Sequence, residues 1–547
     1  MGGERMRLTT GAELTSRDGT HPTEVECPEE MVPIAVWTTK LRLHRHTRST
    51  HVVDLLTTQH APALGSGILF SYPELATIAG VQGVVIYAFA SSLPMLVFGA
   101  LGPIIRRHTP EGFVLTEWTR QRYGTPAMLF LSFMTLVTLF LYMVAELSAI
   151  GQVVNLLTGL DGLPVMIVQC VITTIYTCQC LPPRPVFTWE ELFTDSLLAI
   201  GGFKISFLTD VVQGSMVVGL IIIATITIGV KVDIKPGLVD DSDLLKPSLL
   251  GWHILYILPV AILTNDFFLA QFWLRTFSSK TDKDLWIGVC IATVALLVIL
   301  TLVGSTGLIA AWSGTWPGDP PQLGSVAFFS LLNSLPGWVV GIVLVMVVSL
   351  STAAFDSFQT AMVSTASNDL FRNRLNVWVT RGLVVLVIIP VVAIAIKAPS
   401  ILQIYLISDL VSAAVIPVLC LGLSRRFYWW RGFEVVVGGL GGLLTVFIFG
   451  TIYYGSAKRG AELLILQQGL YAGDWGVFGA FVAAPVGSLL WAFGALGLRL
   501  SFQYVVARRQ GRRFDALDPP VVTSVVANAE ESSQQESEAP KGPGKFF

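Results

Sequence analysis

Hydrophobic stretches of roughly twenty residues recur from about Val81 to Leu500, separated by short loops that carry Lys and Arg on alternate sides. A stretch of that length rises far enough as a helix to cross the hydrocarbon core of a bilayer, where only helices and closed barrels satisfy their own backbone groups. The pattern predicts membrane helices over Val81–Ile105, Pro126–Leu156, Leu163–Tyr176, Leu208–Val230, Trp252–Leu274 and Trp286–Trp312. Further helices are predicted over Trp338–Thr365, Val377–Ile396, Ile401–Leu423, Phe433–Tyr454 and Trp475–Leu498. A weaker span over Leu64–Gly80 holds Pro73 and Glu74, and hydropathy alone passes over it.

Positive loops face the cytoplasm. Arg106, Arg107, Arg120 and Arg122 fall on one side, as do Lys204, then Arg275, Lys280 and Lys283. Arg372, Arg374 and Arg381 continue the series, followed by Arg425, Arg426 and Arg431, and by Arg508, Arg509, Arg512 and Arg513. On the other side, Lys231 to Lys246 is offset by Asp233, Asp240, Asp241 and Asp243, and Ser313–Pro336 has no Lys or Arg. The alternation requires Leu64–Gly80 to be a membrane helix, giving about twelve in all, with both termini cytoplasmic. A polar N-terminal segment (1–63) and a Ser-, Glu- and Pro-rich tail (506–547) are expected to lack packing, leaving 64–505 as the membrane domain.

Composition narrows the class. Only 13% of the 547 residues are charged and 53% are hydrophobic, against about 25% charged in soluble domains. A net charge of −2 gives no footprint for nucleic acid. The scattered cysteines, Cys178-x-Cys180 included, lack metal or disulfide spacing, and no apolar leader follows Met1. The contacts implied are membrane lipid and a small solute, with no obligate protein partner evident and no cofactor beyond a coupling ion, H+ or Na+.

Gly201–Gly214, Pro110–Gly124, Asp409–Pro417 and the set Asp266, Gln271 and Lys280 together resemble the solute:sodium symporter family, in particular its urea active transporter branch. Gly201–Gly214, with Thr209-Asp210, resembles the segment opening that family's fifth core helix. Pro110–Gly124 resembles the loop where Arg-Tyr-Gly ends a short amphipathic helix, and Asp409–Pro417 is similar to the branch's tenth core helix. Asp266, Gln271 and Lys280 keep the spacing of the sixth helix and the loop after it. The resemblance implies an all-α LeuT-type core of two inverted five-helix repeats plus extra C-terminal helices, with broken first and sixth helices around a central site. Pro73 and Pro259 place those breaks, since proline removes a backbone donor and interrupted helices at matching positions mark a transporter site. The chain departs from the family at 178–200, an atypical insertion read as a retained intron, and at its N-terminus, which lacks a clear leading helix and the front half of the first core helix.

Ionisable groups inside apolar spans are functional candidates. The resemblance puts Asp266 where the unwound sixth helix faces substrate, with Asn265, Gln271 and Tyr72 beside it; the alternative is an acid paired with Arg275 or capping a helix end. Glu74 and Glu146 are coupling candidates that could exchange a proton, or else structural acids, and Glu74 could instead be an anion at a helix N-terminus. Thr209 and Asp210 line the inward ion path by resemblance, or Asp210 caps its helix. Sodium-coupled relatives carry paired hydroxyls in the eighth span, where alignment puts Ala353 and Ala354. Ser351 and Thr352 lie two residues earlier, about 200° around the helix, so proton coupling is favoured. Leu296 stands where sugar-transporting relatives carry a lysine. The expected function is symport of urea or a similar small polar nitrogenous solute at the plasma membrane. The alternative is a transport-deficient nutrient sensor or a defective splice product, with a membrane enzyme more remote.

Overall fold

The computed structural model describes residues 65–108, 115–178, 203–269, 272–273, 276, 281–371, 377–398 and 400–518, which contain helices and no strand. The N-terminal segment, the insertion over 179–200, Gln271, Arg275, Lys280 and the tail beyond Asp518 lie outside the described residues. The helices are α1 (Ile68–His108), α2 (Leu115–Tyr123), α3 (Thr125–Thr158), α4 (Leu163–Cys178), α5 (Phe203–Lys231), α6 (Pro236–Asp241), α7 (Leu249–Asp266) and α8 (Asp282–Ser313). There follow α9 (Ala327–Asn333), α10 (Gly337–Thr365), α11 (Val377–Ala395), α12 (Ile401–Cys420), α13 (Gly432–Tyr454), α14 (Ala457–Leu464) and α15 (Gly476–Arg509).

Among the described residues, eight helices are long and apolar enough to cross a membrane: α1, α3, α7, α8, α10, α12, α13 and α15. Shorter apolar stretches in α4, α5 and α11 stand at other predicted spans. α1 covers two predicted spans, because its backbone leaves helical geometry at Gly80 (φ 63°, ψ −153°). A side chain is strained there. A Cβ would also collide with the Leu244 carbonyl, which accepts from Val81 N–H at 3.0 Å. The loop between α6 and α7 therefore seats directly on the kink.

The prolines do not mark the breaks. Pro73 lies inside α1 and Pro259 inside α7, both helical around them. Each removes one intrahelical bond, to Leu69 and Leu255 respectively, which a packed helix tolerates in a membrane. The interruptions stand at neighbouring positions instead. Before α1 the chain is irregular over Gly65–Gly67, and α7 ends at Asp266 in turns at Phe267 and Phe268 before helical residues resume at Phe272 and Trp273. The first limb of α1, about twelve residues or roughly 18 Å, is about three fifths of the hydrocarbon thickness of roughly 30 Å.

Contacts between loops sort them into two ends. Arg106 and Arg107 meet Asp282, and Arg122 donates to the carbonyls of Gly422 and Phe427. At the opposite end, Lys235 N–H reaches Trp312 O, Asn333 reaches Leu156 O and Gln403 reaches Ile465 O. This grouping matches the alternation of basic loops. α13 packs along α15 through small residues: a Cβ on Gly442 would press on Ala484 O and Ser488, the close approach that holds membrane helices together. Glu434 and Arg499 form a buried pair at 2.5 Å between these helices. α15 runs to Arg509, four residues into the stretch expected as tail, and Tyr428 donates to Leu517 O at 2.6 Å.

Candidate functional site

The end of α7 carries the first elements of the site. Asn265 donates to the Tyr142 hydroxyl at 2.7 Å and accepts from Ser408 at 3.1 Å, joining α7 to α3 and α12. Thr264 and Ser412 share a hydrogen bond of 2.9 Å one turn away. These bonds hold the last turn of α7 while Trp273 Nε1 donates to Phe267 O beyond the break. Asp266 is thus the last residue of a helix, at the end whose unpaired carbonyls carry partial negative charge. Its side chain is buried.

Asp409 of α12 is also buried, and the two carboxylates lie in each other's field. No Lys, Arg or His among the described residues pairs with either acid. Tyrosines surround them. Tyr72 and Tyr142 each feel both acids. Tyr72 stacks on Tyr87 with centroids 3.8 Å apart and donates to Ser91 at 2.5 Å. Tyr142 packs against Tyr405 at 5.0 Å and Phe358 at 5.3 Å. The result is two buried carboxyl groups, a helix C-terminus and aromatic faces with no Lys, Arg or His of the described residues paired to the acids, an arrangement suited to a bound cation.

Glu146 of α3 serves the break before α1. Its carboxylate accepts from Ser66 N–H (3.1 Å), Ser66 Oγ (2.5 Å), Gly67 N–H (3.4 Å) and Tyr405 OH (3.3 Å). The unpaired donors of a helix N-terminus are therefore held by a buried acid. Ser351 is buried and donates to Glu146 O at 3.3 Å while accepting from Gln169 at 3.2 Å. Thr352 donates to its own helix at Val348 O, and Ala353 and Ala354 are partly buried. Thr209 and Asp210 lie in α5, with side chains outside the described residues. Glu74 stands apart from the other acids: it is fully buried and accepts from Tyr471 OH at 2.6 Å and from Ser400, the N-cap of α12, at 3.2 and 3.4 Å.

Tyr72, Asn265 and Asp266 come together, and Glu146 reaches the same tyrosine cluster through Tyr405. Asp409, Tyr87, Tyr142, Tyr405, Ser66 and Ser408 were not singled out from the sequence. For Asp409 the signal was present, a carboxylate in the middle of an apolar span.

No family model matches the chain. The spermidine transporter DUR31 of Candida albicans (strain SC5314 / ATCC MYA-2876) is 48% identical over 469 residues, 85% of this chain and 86% of its own. The urea-proton symporter DUR3 of Oryza sativa subsp. japonica is 27% identical over 145 residues, 26% of this chain and 17% of its own. Among solved structures, a Na+-coupled sialic acid symporter in a substrate-bound outward-open state has a TM-score of 0.56 at 16% identity, covering 84% of this chain and 97% of its own. Mhp1, a nucleobase-cation-symport-1 family transporter, has a TM-score of 0.52 at 12% identity, covering 85% of this chain and 94% of its own. The fold is thus that of LeuT-type transporters, with helices α13 to α15 added at the C-terminal end.

Proposed function

Because the chain belongs to the solute:sodium symporter family, in its urea active transporter branch, we propose that this secondary active symporter takes up polyamines, spermidine first. It is an integral membrane protein and a transporter, not an enzyme. The observation carrying the substrate reading is the pair Asp266 and Asp409, buried against Tyr72 and Tyr142 without a protein cation among the described residues. Burying a charge is costly unless it is paired, and a protonated amine supplies the missing partner. Two acids beside a helix C-terminus would repel an anion. The similarity to a spermidine transporter over most of the chain supports the same reading. Urea is the second reading, favoured by the shorter match to a urea-proton symporter and by Asn265, whose amide suits a neutral solute.

Coupling to protons is favoured over sodium. Ala353 and Ala354 bring no side-chain oxygen, the Ser351 hydroxyl is engaged with Glu146 O and Gln169, and Thr352 bonds its own helix. The basic loops put both termini in the cytoplasm, with the plasma membrane as the site of uptake. A transport-deficient sensor or defective splice product is not favoured, given a transporter relative matching 85% of the chain.

Uptake of labelled spermidine and labelled urea, in cells lacking their own carriers for both, tests the reading. Saturable spermidine uptake that excess urea leaves unaffected is expected. Urea uptake with no spermidine uptake would reverse the order of the two substrates.

A further inference from the structure

We propose that Glu74 is an outer station for an alkylammonium group of the substrate, and that Tyr471 is the displaceable hydroxyl holding this carboxylate when no cation is there. The inference rests on the polyamine reading and adds a second place where such a cation binds. Glu74 is fully buried, yet only neutral hydroxyls donate to it: Tyr471 at 2.6 Å and Ser400 at 3.2 and 3.4 Å. Tyr471 and Ser400 both donate to Oε1, which has two acceptor sites, so an ammonium binding there displaces a hydroxyl. No Lys, Arg or His of the described residues pairs with it.

The cover over Glu74 is thin. Tyr471 belongs to the loop between α14 and α15, outside the helices that build the central site, and its residue is 48% exposed although the hydroxyl reaches a buried acid. Burial and the neighbouring Glu74 push the ionisation of Tyr471 up, so it stays a donor. Gly469 (φ 54°) and Gly473 (φ 66°) flank it, with nothing near where a Cβ would be. Leu470 anchors the segment in the core, so displacement calls only for rotation of the half-exposed Tyr471 side chain. On its inner side, Tyr72 lies two residues before Glu74 on the first limb of α1 and stacks on Tyr87 at 3.8 Å, so the acid under a surface loop shares that limb with a tyrosine of the central cluster. A linear polyamine carries separated ammonium groups and can use acids in series; a compact neutral solute gains nothing at Glu74.

Hydroxyl and ammonium compete for the same oxygen of Glu74, so the two variants should move KM in opposite directions. The experiment measures initial rates of labelled spermidine uptake by the full chain, normalised to surface protein. Tyr471→Phe should lower KM by about three- to tenfold, and Glu74→Gln should raise it about tenfold or more. Glu74→Asp should recover part of the loss. An unmoved KM in Glu74→Gln, or both variants shifting KM the same way, overturns the station and leaves a structural role. If Glu74→Gln does not reach the surface, Tyr471→Phe decides: an unchanged or raised KM refutes the competition. A wild-type chain that takes up no spermidine removes the polyamine reading and the station with it, whereas normal wild-type uptake with unmoved KM removes the station alone.

Discussion

In the proposed complex Asp409 accepts from a protonated amine. Hydrogen bonds to charged groups contribute about 1.5–3 kcal/mol, or roughly 10- to 150-fold in affinity. Asp409→Asn should therefore raise the spermidine KM by about 10- to 150-fold with normal surface expression, and Asp266→Asn by a comparable factor. An unchanged KM in both, measured by uptake, would remove the diacid from the site. At this scale sodium dependence is also decided: exchanging sodium for choline at constant pH should alter the initial rate by less than about twofold, given alanines at 353 and 354 and an engaged Ser351. Asp266, Glu74 and Glu146 were legible because a charge within an apolar run stands out. Asp409 stood out equally but was read only as part of a helix resemblance. Tyr87, Tyr142 and Tyr405 were not legible, since a tyrosine in a membrane helix has no meaning until its neighbours on other helices are known.

Among the elements, the presence and order of the apolar spans were legible, because length and apolarity fix them, while some ends were not: α7 stops eight residues before Leu274 and α15 runs eleven past Leu498. The breaks were placed wrongly, at Pro73 and Pro259, where the helices continue. Loss of one hydrogen bond does not unwind a helix whose sides are packed. α7 ends where side-chain bonds from Thr264 and Asn265 to other helices hold its last turn, and these bonds have no sequence signature. Pro259→Ala should accordingly leave spermidine uptake within about twofold, because the helix needs no kink there. Gly80→Ala should behave differently. It combines a left-handed backbone with a collision against Leu244 O, a strain of about 1–3 kcal/mol before repacking. Thermal unfolding of the detergent-solubilised protein should begin at lower temperature, and surface protein should fall; an unchanged melting profile would show that the α6–α7 loop yields easily.

For the molecule as a whole, the two ends defined by loop contacts give a labelling experiment. With the basic loops cytoplasmic, a cysteine at Gly318, between α8 and α9, should react with a membrane-impermeant maleimide on intact cells. One at Gly511 should react only after permeabilisation, and the reverse result would invert the proposed orientation. The buried pair Glu434–Arg499 adds a consequence in time. The chain is made from its N-terminus, so α13 leaves the ribosome with Glu434 while Arg499 is still 65 residues away. At about 5–20 residues per second the acid waits roughly three to thirteen seconds for its only described ion-pair partner. During that interval α13 is a hydrophobic segment whose buried acid lacks its described partner, so its final packing waits for α15.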